Sequence, residues 1–131
     1  MAHGLLMVVG DKVDKQLKSF KDKKFDWYEM GGRFDGYFRL KVPKQRGFIA
    51  SIFGASPIVN VNKARKSEVD IKQVKKGCPV AILVDGQWHE IPIAYDTNLH
   101  NPNVKKWRKK FSSLFDKVKD DELLTAIDFH Y

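Results

Sequence analysis

The sequence has few of the features that mark secreted or membrane proteins. It contains one cysteine, Cys78, so no disulfide can form within the chain, and such cysteine usage is typical of a reducing compartment. The apolar run Leu5 to Val9 is too short for a signal peptide or a membrane span, and no other run approaches the required length. We therefore predict a cytoplasmic protein without a membrane partner.

The common motifs of catalysis and cofactor binding are also missing. No serine or cysteine lies in a nucleophile elbow, and the histidines and the cysteine are not spaced for zinc. The lysine of a Walker phosphate loop and the GxGxxG spacing of dinucleotide sites are absent as well. These absences favour a binding protein over an enzyme and predict neither a cofactor nor a metal site.

Acidic residues are outnumbered by basic ones, 16 to 24, which gives a formal net charge of +8 and a pI near 9.6. Such a charge favours an anionic partner, which can be a nucleic acid, a nucleotide or an acidic protein surface. Solvated surface lysines account for the charge equally well. The hydrophobic share of 43% in 131 residues indicates one folded domain covering residues 1–131.

In the first half of the chain the apolar pattern predicts three elements. The run Leu5 to Val9 is typical of a buried strand, and Asp11 is placed to cap the helix that follows. Alternation from Phe34 to Val42 predicts a second strand, and residues 62–74 are typical of a short helix. The segment 47–61 has no clear pattern.

The second half contains stronger signals. Asp85-Gly86 between two apolar runs predicts a β-hairpin, because this pair favours the tight turn between antiparallel strands. Asn101 followed by Pro102 predicts the start of a helix over residues 102–119. One face of this helix is apolar and comprises Val104, Trp107, Phe111, Leu114, Phe115 and Val118. The closing segment LLTAIDFHY predicts a C-terminal strand.

Together these elements predict an α+β fold. The simplest arrangement is one antiparallel sheet with the two main helices on one face, in a ferredoxin-like order with an insertion near residues 47–74. An edge strand of such a sheet also permits a homo-oligomer.

The segment KFDWYEMGGRF contains the first candidate site. The Gly31-Gly32 pair lets the backbone approach a ligand closely and turn its N–H groups toward an anion. Arg33 can bind a phosphate or carboxylate through two hydrogen bonds, and Trp27 or Tyr28 offers a stacking surface for a base. These are the parts of a nucleotide site. The alternative is structural: Trp27 fills the core and the glycines form a tight turn.

The C-terminal strand contains the second candidate site. Asp128 and His130 are two residues apart, so a strand places both side chains on one face, about 7 Å apart. Such a pair can contact a ribose or a base edge, or perform acid–base chemistry near neutral pH. The alternative is a solvated strand end. A metal site is not expected because His3, His89 and His100 are scattered along the sequence.

Two groups of basic residues are candidates for binding phosphate. One lies on the predicted helix 102–119 and comprises Lys105, Lys106, Arg108, Lys109 and Lys110. It forms either a solvated helix face or a surface for nucleic acid, whose affinity would depend strongly on salt. The other group, Arg65 and Lys66, can add positive potential if it packs beside the Gly31-Gly32 turn.

Four blocks of the sequence resemble a family of small bacteriophage and bacterial proteins of unknown function: VVGD near the start, DWYEMGGRFDGYF, KARKSEVD, and ELLTAIDFH at the end. Members of that family carry a WDWYxxGGRW-like block and a C-terminal LTVVDCH-like strand. This chain departs from the pattern at Phe25 and Phe34, where the family usually has tryptophan, and it is shorter between the first helix and the aromatic block.

The resemblance implies a set of site residues, which are Asp26, Trp27, Tyr28, Gly31, Gly32, Arg33, Arg65, Lys66, Asp128 and His130. If the chain is phage-encoded, its location is the host cytosol. We expect non-catalytic binding of a small anionic nucleotide-type ligand, which in a phage protein can sequester a signal of bacterial immunity. Two alternatives stay open. One is a nucleic-acid- or protein-binding module that uses the helix 102–119, and the other is an enzyme that acts on a nucleotide with Asp128 and His130.

Overall fold

The computed structural model of the protein describes residues 3–40, 60–92 and 102–131, and it confirms the α+β prediction. Its strands are β1 His3–Val9, β2 Trp27–Met30, β3 Phe38–Arg39, β4 Asn60–Val61, β5 Lys63–Arg65, β6 Ala81–Val84, β7 Gln87–Glu90 and β8 Leu123–His130. Its helices are α1 Val13–Lys18, α2 Ile71–Lys76 and α3 Pro102–Asp116, with 3₁₀ turns at Gly32–Phe34 and Lys66–Glu68. No helix in these described ranges has the length and apolar character needed to cross a membrane.

The main sheet has six strands, in the order β2-β8-β1-β6-β7 with β5 also paired to β8. The long strand β8 pairs with β1 along one edge, while its other edge is shared by β5 near its start and β2 near its end. Strands β1 and β6 are parallel, and the other pairs in this sheet are antiparallel. Strands β3 and β4 form a separate two-stranded sheet.

Helices cover both faces of the sheet because β1 is apolar on both. Its residues Leu5, Met7 and Val9 share one core cluster with the apolar face of α3, which includes Trp107, Phe111 and Phe115. The alternate residues Leu6 and Val8 share a second cluster with Val13 and Leu17 of α1. A central strand with two apolar faces must be covered on each. The sheet is therefore mixed and covered on two sides, which differs from the antiparallel, one-sided, ferredoxin-like arrangement that we expected.

Two local signals gave the correct elements. The hairpin β6–β7 is confirmed, and its turn residues Asp85 and Gly86 have φ values of 53° and 73°, as the tight turn between twisted strands requires. Helix α3 begins at Pro102 as predicted and ends at Asp116, before the expected residue 119. The expected cap Asn101 lies outside the described residues.

Other predicted elements were placed wrongly. Residues 62–74 do not form one helix: Lys63–Arg65 is a strand, because it pairs with the free edge of β8, and α2 follows only after Asp70, which accepts a hydrogen bond from the Gln73 N–H. Asp11 does not cap α1, since the residue before that helix is Lys12. Of the strand expected over 34–42, only Phe38–Arg39 is a strand in the described part.

Candidate functional site

Three polar side chains meet where the first and last strands of the sheet come together. The antiparallel register of β1 and β8 pairs His3 with His130 and Leu5 with Asp128. Because side chains of a strand alternate between faces, His3, Asp128 and His130 lie on the same face. One ligand-capable atom from each lies within 4.8 Å of those of the other two. We call these three residues the His–Asp–His cluster.

The centre of the His–Asp–His cluster is a buried carboxylate. Asp128 is 1% exposed, and its two oxygens lie 2.9 and 3.2 Å from His3 Nδ1. His130 Nε2 lies 3.9 Å from Asp128 Oδ2, which is too long for a hydrogen bond. His130 is 9% exposed, and within the described residues its buried Nε2 has no hydrogen-bond partner. The cluster thus contains one imidazole that is engaged by the carboxylate and one with an unused nitrogen.

The Gly31-Gly32 turn is shaped around the Asp128 carboxylate. The Arg33 N–H donates a hydrogen bond to Asp128 Oδ2 at 3.0 Å, and the Gly31 N–H donates to the Ala126 carbonyl. Gly32 has a φ of 51°, and a Cβ at this position would stand 2.5 Å from Asp128 Oδ2. Glycine is therefore required here for both conformation and space. The expectation that this turn holds an external phosphate needs correction, because the anion that it faces is the protein's own carboxylate.

The two aromatic residues of this segment lie on different faces of β2. Trp27 pairs with His130, is 49% exposed, and packs at right angles to the His130 ring with 4.1 Å between the ring centroids. Tyr28 packs against Phe25 and donates a hydrogen bond to the Asp14 carboxylate, which raises the pKa of Tyr28 to about 12. Trp27 therefore borders the cluster and is not a core residue, whereas Tyr28 belongs to the α1 side of the sheet.

Arg65 and Lys66 are not brought to the cluster, which corrects their expected place beside the Gly31-Gly32 turn. Arg65 pairs with Leu123, at the opposite end of β8 from His130, and its guanidinium donates to the Asp121 carbonyl. Lys66 is 8% exposed. Its Nζ donates to the carbonyls of Phe115 and Asp116 at the C-terminal end of α3, and to that of Val118 just beyond it. These carbonyls carry the negative end of the helix dipole, so Lys66 has a structural role.

The basic face of α3 is a solvent-facing surface. Lys105, Lys106, Lys109 and Lys110 are exposed, and Arg108 donates a hydrogen bond to the Lys76 carbonyl. Trp107 between them is buried, and its Nε1 donates to the Pro79 carbonyl. The lysines thus surround a core residue, as the structural interpretation of this segment predicted.

Sequence reasoning missed His3 and Glu29. His3 was treated as one of several scattered histidines, and only the pairing of the first and last strands places it opposite His130. Glu29 pairs with Asp128 across β2 and β8, and its Oε1 lies 2.8 Å from the point where a Gly32 Cβ would stand. A sequence signal for His3 does exist. His3, Leu5, Met7 and Val9 alternate along the chain, so a strand that began at His3 would place the histidine on the same face as these three apolar residues.

Cys78 is not part of the site. It is half-buried, and burial raises the pKa of its thiol to about 11, which is the opposite of what a nucleophilic cysteine needs.

Comparison with models of protein families, with curated proteins and with solved structures gives no match. The function must therefore be inferred from the side chains themselves. The His–Asp–His cluster offers two imidazoles and a carboxylate, and Trp27 and Arg33 at its border offer an exposed ring and an exposed guanidinium.

Proposed function

We propose that the protein binds a small nucleotide-type ligand, without turnover, at the end of the sheet beside the His–Asp–His cluster. The observation that carries this proposal is the contact of the half-exposed Trp27 ring with the buried His130, whose Nε2 has no partner among the described residues. An exposed large aromatic ring next to buried polar groups with unused hydrogen-bonding capacity is typical of a ligand site.

Each side chain then has a role that follows from its position. The Trp27 ring stacks on the base, an interaction worth on the order of 1–3 kcal/mol in single-strand binders. His130 Nε2 contacts a polar edge of the base or ribose. The backbone N–H of Arg33 is bound to Asp128, so the exposed side chain of Arg33 leaves the backbone beside the cluster and can hold the anionic end of the ligand. Gly31 and Gly32 serve to position Asp128 and do not contact the ligand directly.

The test uses thermal stabilisation and calorimetric titration with mononucleotides, cyclic nucleotides and ADP-ribose. Arg33→Ala is expected to abolish binding while leaving the fold intact, because the Arg33 contact with Asp128 is made by the backbone. Trp27→Ala is expected to weaken binding at least about tenfold, and Trp27→Phe to restore part of it. Arg39→Ala, which removes an exposed arginine on β3, is the matched control and should bind normally. Unchanged affinity in Arg33→Ala would sink the proposal.

A catalytic version of this site is the second candidate, and the His3–Asp128 hydrogen bond favours it. A carboxylate that orients an imidazole is a recurring arrangement in acid–base and nucleophilic catalysis. The two functions differ in the fate of the ligand. After incubation and heat denaturation, chromatography shows an intact nucleotide for a binding protein and an altered one for an enzyme. His3→Ala would then lose turnover but keep binding.

Sequestration of a bacterial immune signal on behalf of a phage is the narrower form of the proposal. It is supported by the resemblance of the DWYEMGGRFDGYF and ELLTAIDFH blocks to phage proteins.

If no nucleotide in the panel stabilises the protein, the exposed lysines of α3 become the place to seek a partner, and binding to long polyanions should then fall steeply with salt.

A further inference from the structure

We propose that the His–Asp–His cluster binds a divalent transition-metal ion such as Zn²⁺, through His3 Nδ1, an oxygen of Asp128 and His130 Nε2. Two imidazoles and one carboxylate form a donor set used by catalytic zinc and non-haem iron sites, in which further coordination positions stay open. Hard cations such as Ca²⁺ and Mg²⁺ prefer sites made of oxygen ligands alone. The chemistry of the cluster therefore points to a first-row transition metal.

The distances in the cluster are close to those that a shared ion needs. Metal bonds of about 2.0–2.2 Å place neighbouring ligand atoms about 3–3.5 Å apart. His3 Nδ1 and Asp128 Oδ1 are already 2.9 Å apart, and His130 Nε2 lies 3.9 Å from Asp128 Oδ2. A small rotation of the imidazole of His130 toward the carboxylate completes the set. The side chain of His3 is 17% exposed, so an ion can enter from solvent.

The charges around Asp128 independently call for a cation. Asp128 is buried, and among the described residues only His3 and His130 are within ion-pairing distance of it. A buried carboxylate is stabilised by a cation bound beside it.

The unused nitrogen of His130 is the second independent observation. Buried polar atoms normally have a hydrogen-bond or metal partner, and this one lies 3.9 Å from Asp128 Oδ2, too far for a hydrogen bond. The Arg33 N–H bond to Asp128 Oδ2 orients the carboxylate, and the Trp27 ring packs edge-on against the His130 ring. Such outer contacts orient metal ligands in known sites.

The inference does not rest on the proposed nucleotide binding, since the ion can be measured with no nucleotide present. The two proposals assign different partners to His130 Nε2. With the ion bound, the nucleotide would be held by Trp27 and Arg33, and the ion would add a positive centre for its anionic end.

The experiment is a calorimetric titration of tag-free protein, stripped of metal by chelation, with ZnCl₂ alone. We expect one Zn²⁺ per chain. His3→Ala and Asp128→Asn should each weaken binding at least about 100-fold, more than the loss of an outer contact usually costs. His89→Ala is the matched control, because His89 lies on β7, with β6 between its strand and β1, and it should bind normally. Circular dichroism of each variant checks that the fold is kept.

A Co²⁺ titration gives a second readout that a structural role would not change. The visible absorption of bound Co²⁺ reports its ligands, so it should change in His130→Ala if that variant folds, and in His3→Ala in any case. Absence of Zn²⁺ binding by the unmodified protein would overturn the inference. It would also be overturned if His3→Ala and Asp128→Asn fold and bind Zn²⁺ as tightly as the unmodified protein does. Zinc binding without nucleotide binding would support the metal site and overturn only the nucleotide proposal. Nucleotide binding without zinc binding would support the nucleotide proposal and overturn the metal site.

Discussion

The two ends of β8 bury polar side chains in opposite ways. Near its start, the Nζ of Lys66 donates to three carbonyls at the end of α3, so this buried cation has its partners. Near its end, Asp128 and His130 are equally buried, but His130 Nε2 has no partner within the described ranges. A satisfied buried polar group stabilises a fold, whereas an unsatisfied one calls for an explanation. In the described residues Thr125 Oγ1 and Trp88 Nε1 are also buried without a partner, but they lie outside the His–Asp–His cluster. The Lys66 end thus has the contacts of an architectural group, whereas the His130 end is where we propose that the protein binds a ligand.

The largest effect is expected at the Lys66 end. Lys66→Met keeps most of the apolar stem of the side chain but leaves the carbonyls of Phe115, Asp116 and Val118 without their donor. We expect the free energy of unfolding in urea to fall by about 3 kcal/mol, since unpaired buried groups and a lost charge at a helix end both contribute. Lys63→Met, at an exposed position of β5, is the control and should change it by less than about 0.5 kcal/mol. A loss in Lys66→Met as small as the control's would contradict the architectural role.

The next largest effect is expected for substitution of Gly32, where backbone strain can be separated from crowding against Asp128. Gly32 and Gly86 have φ values of 51° and 73°, but only at Gly32 would a Cβ meet other atoms, with Asp128 Oδ2 at 2.5 Å. Both alanine variants place a Cβ in the left-handed backbone region, so the cost of that strain is common to the two. Gly32→Ala should therefore lower the free energy of unfolding by about 2 kcal/mol more than Gly86→Ala does, because only at Gly32 is the added Cβ overpacked. Thermal and urea unfolding measure this difference. If the two variants are equally stable, the turn is not shaped around Asp128.

The smallest effect concerns Tyr28, which shares β2 with Trp27 but lies on the other face. The hydrogen bond to Asp14 raises the pKa of Tyr28 from 10 to about 12. A raised pKa in the folded state adds stability that is complete below pH 10 and is lost as the pH rises through 12. Asp14→Asn should return the Tyr28 titration, followed by ultraviolet absorbance, toward its ordinary range and leave Zn²⁺ binding unchanged. A titration that does not move would mean that Asp14 does not hold the phenol.

Sequence reasoning succeeded where the signal is local. The Asp85-Gly86 turn and the Pro102 helix start depend on backbone preferences of one or two residues, and the apolar stripe of α3 follows from helical periodicity alone. It failed for Lys63–Arg65, which has no distinctive pattern and becomes a strand only because β8 offers an edge. Segments of this kind take their structure from their neighbours.

The candidate site could be predicted only where its residues are close together in the sequence. Asp128 and His130 share a strand, so their common face could be predicted, whereas Gly31-Gly32 was expected to let the backbone approach a ligand. What approaches the glycines is Asp128, and the third member of the cluster is His3, which is 125 residues away from it. No local pattern links residues that far apart in the chain.

The sequence by itself determined the α+β class, the hairpin, the main helix and the residue types available for a site, because each depends on composition or short-range periodicity. Only the tertiary structure decided which of those residues meet. The register of β1 on β8 brought His3 to Asp128 and His130, and the edge pairing of β5 took Arg65 and Lys66 to the other end. Strand register is set by long-range pairing and packing, so it appears only when the chain has folded.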